Sequence, residues 1–185
     1  MAGHSKWAQI KRQKAVTDAA RSRTFSRFAR IITLESKKAG GDLSSPSLQT
    51  AITRAKEANM PKENIERAVA KGTSKEAGDL ETVTYECYGP GGSACITTAV
   101  TDNKNRTTAE IKHLLTKNGY ELAAPGSALW AFNKSPDGSF TPNEPLVELT
   151  GEEEQKLYEL LDLFDEHEDV QETYTNVRGY EDSRD

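Results

Sequence analysis

Apolar residues recur along this chain first at helical spacing and then at strand spacing, with the change near residue 80. From Thr17 to Lys38, Phe25, Phe28, Ala29 and Ile32 fall on one stripe at about 100° per residue. Asp18 near the start and Gly40-Gly41 beyond the end complete the signature of one helix. A second helix is expected after Ser44-Ser45-Pro46, with Leu48, Ala51, Ile52 and Ala55 at core spacing. A third starts at Asn59-Met60-Pro61, because proline lacks only the N–H that a first helical turn leaves unpaired anyway. Ile65, Ala68 and Val69 keep its period, and Gly72 is expected to end it. Three short amphipathic helices cannot each bury a face alone, so they should form a small bundle.

A polar linker, Thr73 to Leu80, precedes the strands. Val83, Tyr85 and Cys87 alternate with Thr82, Thr84 and Glu86, and Ala94 to Val100 alternates likewise, so two strands should meet across a Gly89-Pro90-Gly91-Gly92 hairpin. Thr107 to Lys117 reads as a helix with Thr108, Ile111 and Leu115 inward and Gly119 closing it. Ser127 to Asn133 reads as a strand, Gly151 to Phe164 as a helix with Leu157, Leu160, Leu161 and Phe164 on one stripe, and Val170 to Val177 as a last strand. The expected fold is therefore α+β: a three-helix N-terminal domain over 1–75, a linker over 76–80, and an α/β sandwich over 81–185 with helices on one face of a mainly antiparallel sheet.

Charge divides the chain at the same place. Residues 1–75 hold sixteen Lys and Arg against six Asp and Glu, and the remainder holds eight against twenty-three, within a net charge of -5. A half this basic should attract a polyanion, most plausibly a nucleic-acid backbone. On the first helix Arg23, Arg27, Arg30, Lys37 and Lys38 lie opposite the apolar stripe, with no acid in the row before Glu35. That row is expected to be solvated and to bind phosphates, so reversing Arg23, Arg27 and Arg30 should abolish binding and leave the fold intact. A basic, acid-poor start also fits a cleavable transit peptide, which would place the protein in mitochondria. The basic stretch runs straight into an organised helix, however, as a retained element would, and the expected location is cytoplasmic. No apolar run is long enough for a membrane span.

Candidate chemistry follows the charge. Gly3, His4, Ser5, Lys6 and Trp7 form a short arm with hydrogen-bonding, cationic and stacking groups suited to an RNA channel; Trp7 could equally anchor the arm on the bundle. Lys11, Arg12, Lys14, Arg21, Arg23, Arg27 and Arg30 would neutralise phosphates without reading sequence. Asp102 to Arg106, at a strand end and helix start, makes an anion-binding corner; Asp102 or Asn105 alternatively serves only as the helix cap, which leaves Lys104 and Arg106 as the stronger functional candidates alongside Asn105. His4, His113 and His167 are scattered, no Cys-x-x-Cys spacing exists, and Cys87 and Cys95 read as buried thiols sooner than as a disulfide, so no metal or cofactor is expected. The glycine run lacks the Lys-Ser/Thr of a phosphate loop. The carboxylates of Glu152 to Asp169 read as a solvated surface, with no nucleophile and base beside them, which argues against an enzyme and against a small-molecule substrate. That acidic half could contact a basic protein in a secondary role, and self-association stays open. No helix-turn-helix pattern stands out, since the most basic helix comes first.

The opening MAGHSKW, the NMPKENIERAVAKGT helix start, the YECYGPGGSA hairpin and TDNKNRTTAEIKHLLTKNGYELAAPGSALWAF closely resemble the YebC/PmpR family, which includes the mitochondrial translational activator of cytochrome oxidase subunit one. The stretch from the Gly151 helix through DVQETYTNV resembles the family's C-terminus. Members of the usual length carry a further inserted domain where this chain has only Ser135 to Leu146. The resemblance implies a non-catalytic regulator of gene expression. Its implied partner is either the ribosome, where family members help elongation through difficult sequences, or DNA, as a transcriptional regulator; ribosomal RNA is the preferred expectation.

Overall fold

A computed structural model describes residues 18–74, 78–136 and 138–180. Helix α1, Asp18–Lys38, lies against α2, Pro46–Glu57, and α3, Lys62–Thr73. Ile32, Leu48, Ala51, Ala55, Met60, Ile65 and Ala68 are buried between them, with Phe25, Phe28 and Ala29 half-buried on the same side. This is the stripe that the apolar spacing marks. Gly40 and Gly41 stop α1 at φ +60° and +85°, values that cost glycine little.

Gly72 does not end α3. It sits buried in the last turn, where a Cβ would come within 2.6 Å of both Ser36 Cβ and the Thr33 carbonyl oxygen. The glycine lets α1 and α3 approach, and across that approach the Thr33 and Ser36 hydroxyls donate to the carbonyls of Ala68 and Val69 at 3.1 and 2.8 Å.

Beyond residue 80 the chain forms β1, Glu81–Tyr88, β2, Ala94–Thr101, and α4, Lys104–Lys117, then β3, Phe132–Lys134, β4, Phe140–Pro142, α5, Gly151–Glu166, and β5, Val170–Thr175. Strands β1, β2 and β5 make one antiparallel sheet in that order, with Cys87 opposite Cys95 and a register shift between Thr98 and Ala99. The fold is the expected α+β arrangement, and α4 and α5 cover one face. Val83, Tyr85, Cys87, Cys95 and Ala99 meet Ile111, Leu115, Leu157, Leu160, Leu161 and Phe164 there. Thr107, not Thr108, is the buried threonine of α4. A capping box at Thr150 and Glu153 starts α5.

The segment expected as a strand over Ser127 to Asn133 departs from that reading. Leu129–Ala131 is a 3-10 turn, and only Phe132–Lys134 is extended, pairing with β4 in a separate two-stranded sheet. That hairpin covers the second face of the main sheet, with Phe140 edge-on to Phe132 and to Tyr174 at 6.4 and 5.4 Å. Both faces of β2 are therefore buried, and the alternation read from its sequence separates two cores and not core from solvent. Cys87 and Cys95 are free and buried; their mutual hydrogen bond and burial hold the Cys87 thiol far above its ordinary range.

Candidate nucleic-acid interface

Arg23, Arg27 and Arg30 share one face of α1, as a three-and-four spacing requires. Two of them are not solvated. Arg27 is buried, its Nη1 donating to Asp165 Oδ1 at 2.8 Å and its Nη2 to the Asp165 carbonyl. Arg30 pairs with Asp169, lies 3.9 Å from Glu168 and reaches the Val100 carbonyl at 3.4 Å. On α2, Arg54 pairs with Glu172 of β5. The reading of Glu152 to Asp169 as a solvated acidic surface thus fails at its C-terminal end, because Asp165 and Asp169 receive arginines from the helical half. Reversing Arg27 and Arg30 would set like charges against these carboxylates, so the expectation that the fold would tolerate it fails too.

Asp169 is the hub of this clasp. It is 2% exposed and accepts from Arg30, from Arg106 Nη2 at 3.0 Å and from the Thr107 hydroxyl at 2.6 Å. Arg106 also meets Asp102 at 3.1 Å, so the corner over Asp102 to Arg106 is largely satisfied internally. Its cap is Asn103, whose side chain accepts from the Arg106 N–H at 3.1 Å, and neither Asp102 nor Asn105. Lys104 and Asn105 are exposed beside it. Glu110, His167 and Asp169 bring donor atoms within 4.8 Å of one another, but their spare valence is used: His167 Nε2 lies 3.2 Å from Glu110, its Nδ1 accepts from the Asp169 N–H, and Asp169 faces two guanidinium groups. Burial, opposed by Glu110, holds the His167 pKa below its ordinary value.

With Arg27 buried and Arg30 and Arg54 paired to carboxylates of the acidic half, other cations of the helical half stand outward. Arg21, exposed, lies 3.8 Å from the exposed Asp18. Arg67 and Lys71 stand exposed on α3 and, among the described residues, have no ion-pair partner. Between α1, α3 and the β2–α4 corner lies a cleft of about 570 Å³ lined by Phe25, Met60, Asn64, Arg67, Lys71 and Arg106, among others. A second hollow of about 580 Å³ continues past Phe25 to Arg21, Asn59 and Pro61. Gly3, His4, Ser5, Lys6, Trp7, Lys11, Arg12 and Lys14 lie outside the described residues.

The sequence also hid a buried carboxylate. Glu86 is 4% exposed and accepts from the N–H groups of Gly126, Ala128 and Leu129 at 2.6, 2.7 and 2.9 Å. It fixes the turn that presents Trp130, which is 68% exposed and donates to the Tyr88 hydroxyl at 3.2 Å. Its position in an alternating strand marks it as outward, and only the second covering layer explains its burial.

These elements define a class: an α+β protein whose cationic helical part is strapped by arginine–carboxylate pairs to an acidic sheet part, with a cation-lined groove between them. Residues 5–75 match the TACO1/YebC protein N-terminal domain, and residues 80–137 match the TACO1/YebC second and third domain. The chain belongs to the TACO1/YebC family. A relative from Chloroherpeton thalassium is 40% identical over 100% of this chain and 74% of its own length, and one from Carboxydothermus hydrogenoformans is 37% identical over 95% and 98%. A third, from Dictyoglomus thermophilum, is 51% identical over 71% and 54%. Each is named a probable transcriptional regulatory protein. The chain matches only about half the length of several such relatives, 55% and 54% in two cases. The alignment with the Carboxydothermus protein runs to 239 positions, more than this chain holds, so that relative carries residues with no counterpart here. The crystal structure of a conserved hypothetical protein from Aquifex aeolicus superposes with a TM-score of 0.81 at 32% identity, covering 94% of this chain and 97% of that one.

Proposed function

We propose that this protein is a non-catalytic regulator of gene expression that works by binding nucleic acid, with ribosomal RNA as its partner and elongation on the ribosome as its point of action. The observation that carries this reading is the charge split: the half ending at Lys75 has sixteen cations against six acids, and among the described residues Arg27, Arg30, Arg54 and Lys37 pair with carboxylates of the acidic half. Among the described residues Lys37, Lys38 and Lys62 meet exposed or local acids, while Arg67 and Lys71 have no ion-pair partner and can neutralise phosphates. Duplex reading is the second possibility, favoured by the relatives' name of probable transcriptional regulatory protein. Against it, the most basic helix turns its arginine row onto Asp165 and Asp169, so that row cannot enter a major groove.

The test replaces Lys11, Arg12, Lys14, Arg21 and Arg23 by Glu, leaving the clasp intact. The variant should lose co-sedimentation with ribosomes and melt like the parent; equal sedimentation would remove the reading. Crosslinking in cells followed by sequencing of attached RNA and DNA separates the two partners: enrichment at promoters without ribosomal RNA would establish the transcriptional alternative.

A further inference from the structure

The groove between the two halves has a chemistry that the charge split alone does not supply. Its floor is apolar, with Phe25, Ala29 and Met60, and its rim carries Asn64, Arg67 and Lys71 from α3. Arg30 and Arg106 are tied to Asp169, and Arg106 also to Asp102 of the same lining, so among the described residues the uncommitted cations of the lining are Arg67 and Lys71. These stand four residues apart on one helix face, about 6 Å along the axis, the order of the step between successive phosphates of a single strand. Each hollow has the volume of a small-ligand site, roughly 300–1,000 Å³, and so admits nucleotide-sized groups and not a duplex.

We propose that this groove seats a single strand of nucleic acid, with consecutive phosphates on Arg67 and Lys71 and an unpaired base on the Phe25–Met60 floor. The inference rests on the nucleic-acid reading above and names the place where the strand lies. An aromatic floor beside a cationic rim is the recurring solution for single strands, because every base offers a π face and every nucleotide a phosphate. Asn64 can donate to or accept from a base edge. The chain's own N-terminal segment is a poor occupant on charge: residues 1–17 contain Lys6, Lys11, Arg12 and Lys14 and no acid, so they would meet Arg67 and Lys71 as like charges.

The test uses the full chain and a fluorescent oligouridylate of about fifteen nucleotides, within the site sizes single-strand binders cover. Arg67→Gln with Lys71→Gln should weaken binding about tenfold and flatten the salt slope by about 1.4, two contacts at about 0.7 each. Phe25→Leu keeps an aliphatic floor and should also weaken binding about tenfold through lost stacking, with the salt slope unchanged. Unaltered melting of the exposed Arg67 and Lys71 variant assigns its loss to the groove. A strand bearing 4-thiouridine should crosslink to Phe25 or Met60. Parental binding that both variants retain, or crosslinks confined to residues 1–17, would overturn the groove and leave the nucleic-acid reading standing. Absence of binding by the parent to any polynucleotide would overturn both.

Discussion

Gly72 shows how one residue can carry two opposite signals. In an exposed helix interior, replacing glycine by alanine stabilises by about 1 kcal/mol. Here the added methyl would meet the Thr33 carbonyl and Ser36 Cβ at 2.6 Å, one of them backbone that cannot swing away. Gly72→Ala should therefore destabilise by about 1–3 kcal/mol, read as a lower urea midpoint, and stabilisation would contradict the close approach. The sequence shows the glycine but not its neighbour, which is why it reads as a helix stop. His167 is a second case. Its pKa is lowered by burial, with Glu110 and Glu168 opposing and Arg30 assisting, so the unfolded chain binds a proton more readily than the folded one. Stability from this group is fully present above its unfolded value of about 6.5 and is lost as pH falls toward the lowered folded value. The parent's urea midpoint should drop between about pH 7.5 and pH 5.5 by more than that of His167→Gln. Parallel drops would show that the imidazole contributes nothing.

At the scale of elements, periodicity located the helices well, because α1, α2, α3 and α5 each bury one stripe against one layer. It misread the segment around Trp130, where apolar residues serve a tight turn and a short hairpin. The organiser of that turn is Glu86, a strand residue whose carboxylate meets three N–H groups from a segment forty residues away. No local pattern can announce such a contact. Glu86→Gln presents an amide donor to a nest of donors, which should destabilise by about 2 kcal/mol. In a Trp7→Phe background the same change should alter the emission of Trp130, and an unchanged spectrum would show that the turn stands without the carboxylate.

For the molecule as a whole, composition announced two halves of opposite charge but not that they bind each other. The arginine row of α1 looks, in sequence, like a phosphate face; in three dimensions Arg27 and Arg30 find phosphate-like partners in Asp165 and Asp169 about 140 residues away. Arg23 is half-buried at the start of that row, and Arg21, Arg67 and Lys71 stand exposed beside it. Burying the pairs makes the clasp costly to break, since a lone buried charge destabilises far more than the intact pair stabilises. The protein thus holds its basic half to its acidic half with a minority of its cations.

The most direct measurement is a titration of the intact chain with ribosomal RNA fragments across a range of salt concentrations. Affinity should be highest at low ionic strength and fall linearly on logarithmic axes, with a slope set by the outward cations and reduced when Arg21, Arg23, Arg67 and Lys71 are neutralised together. Absence of uptake at low salt, or a slope indifferent to those four side chains, would contradict it.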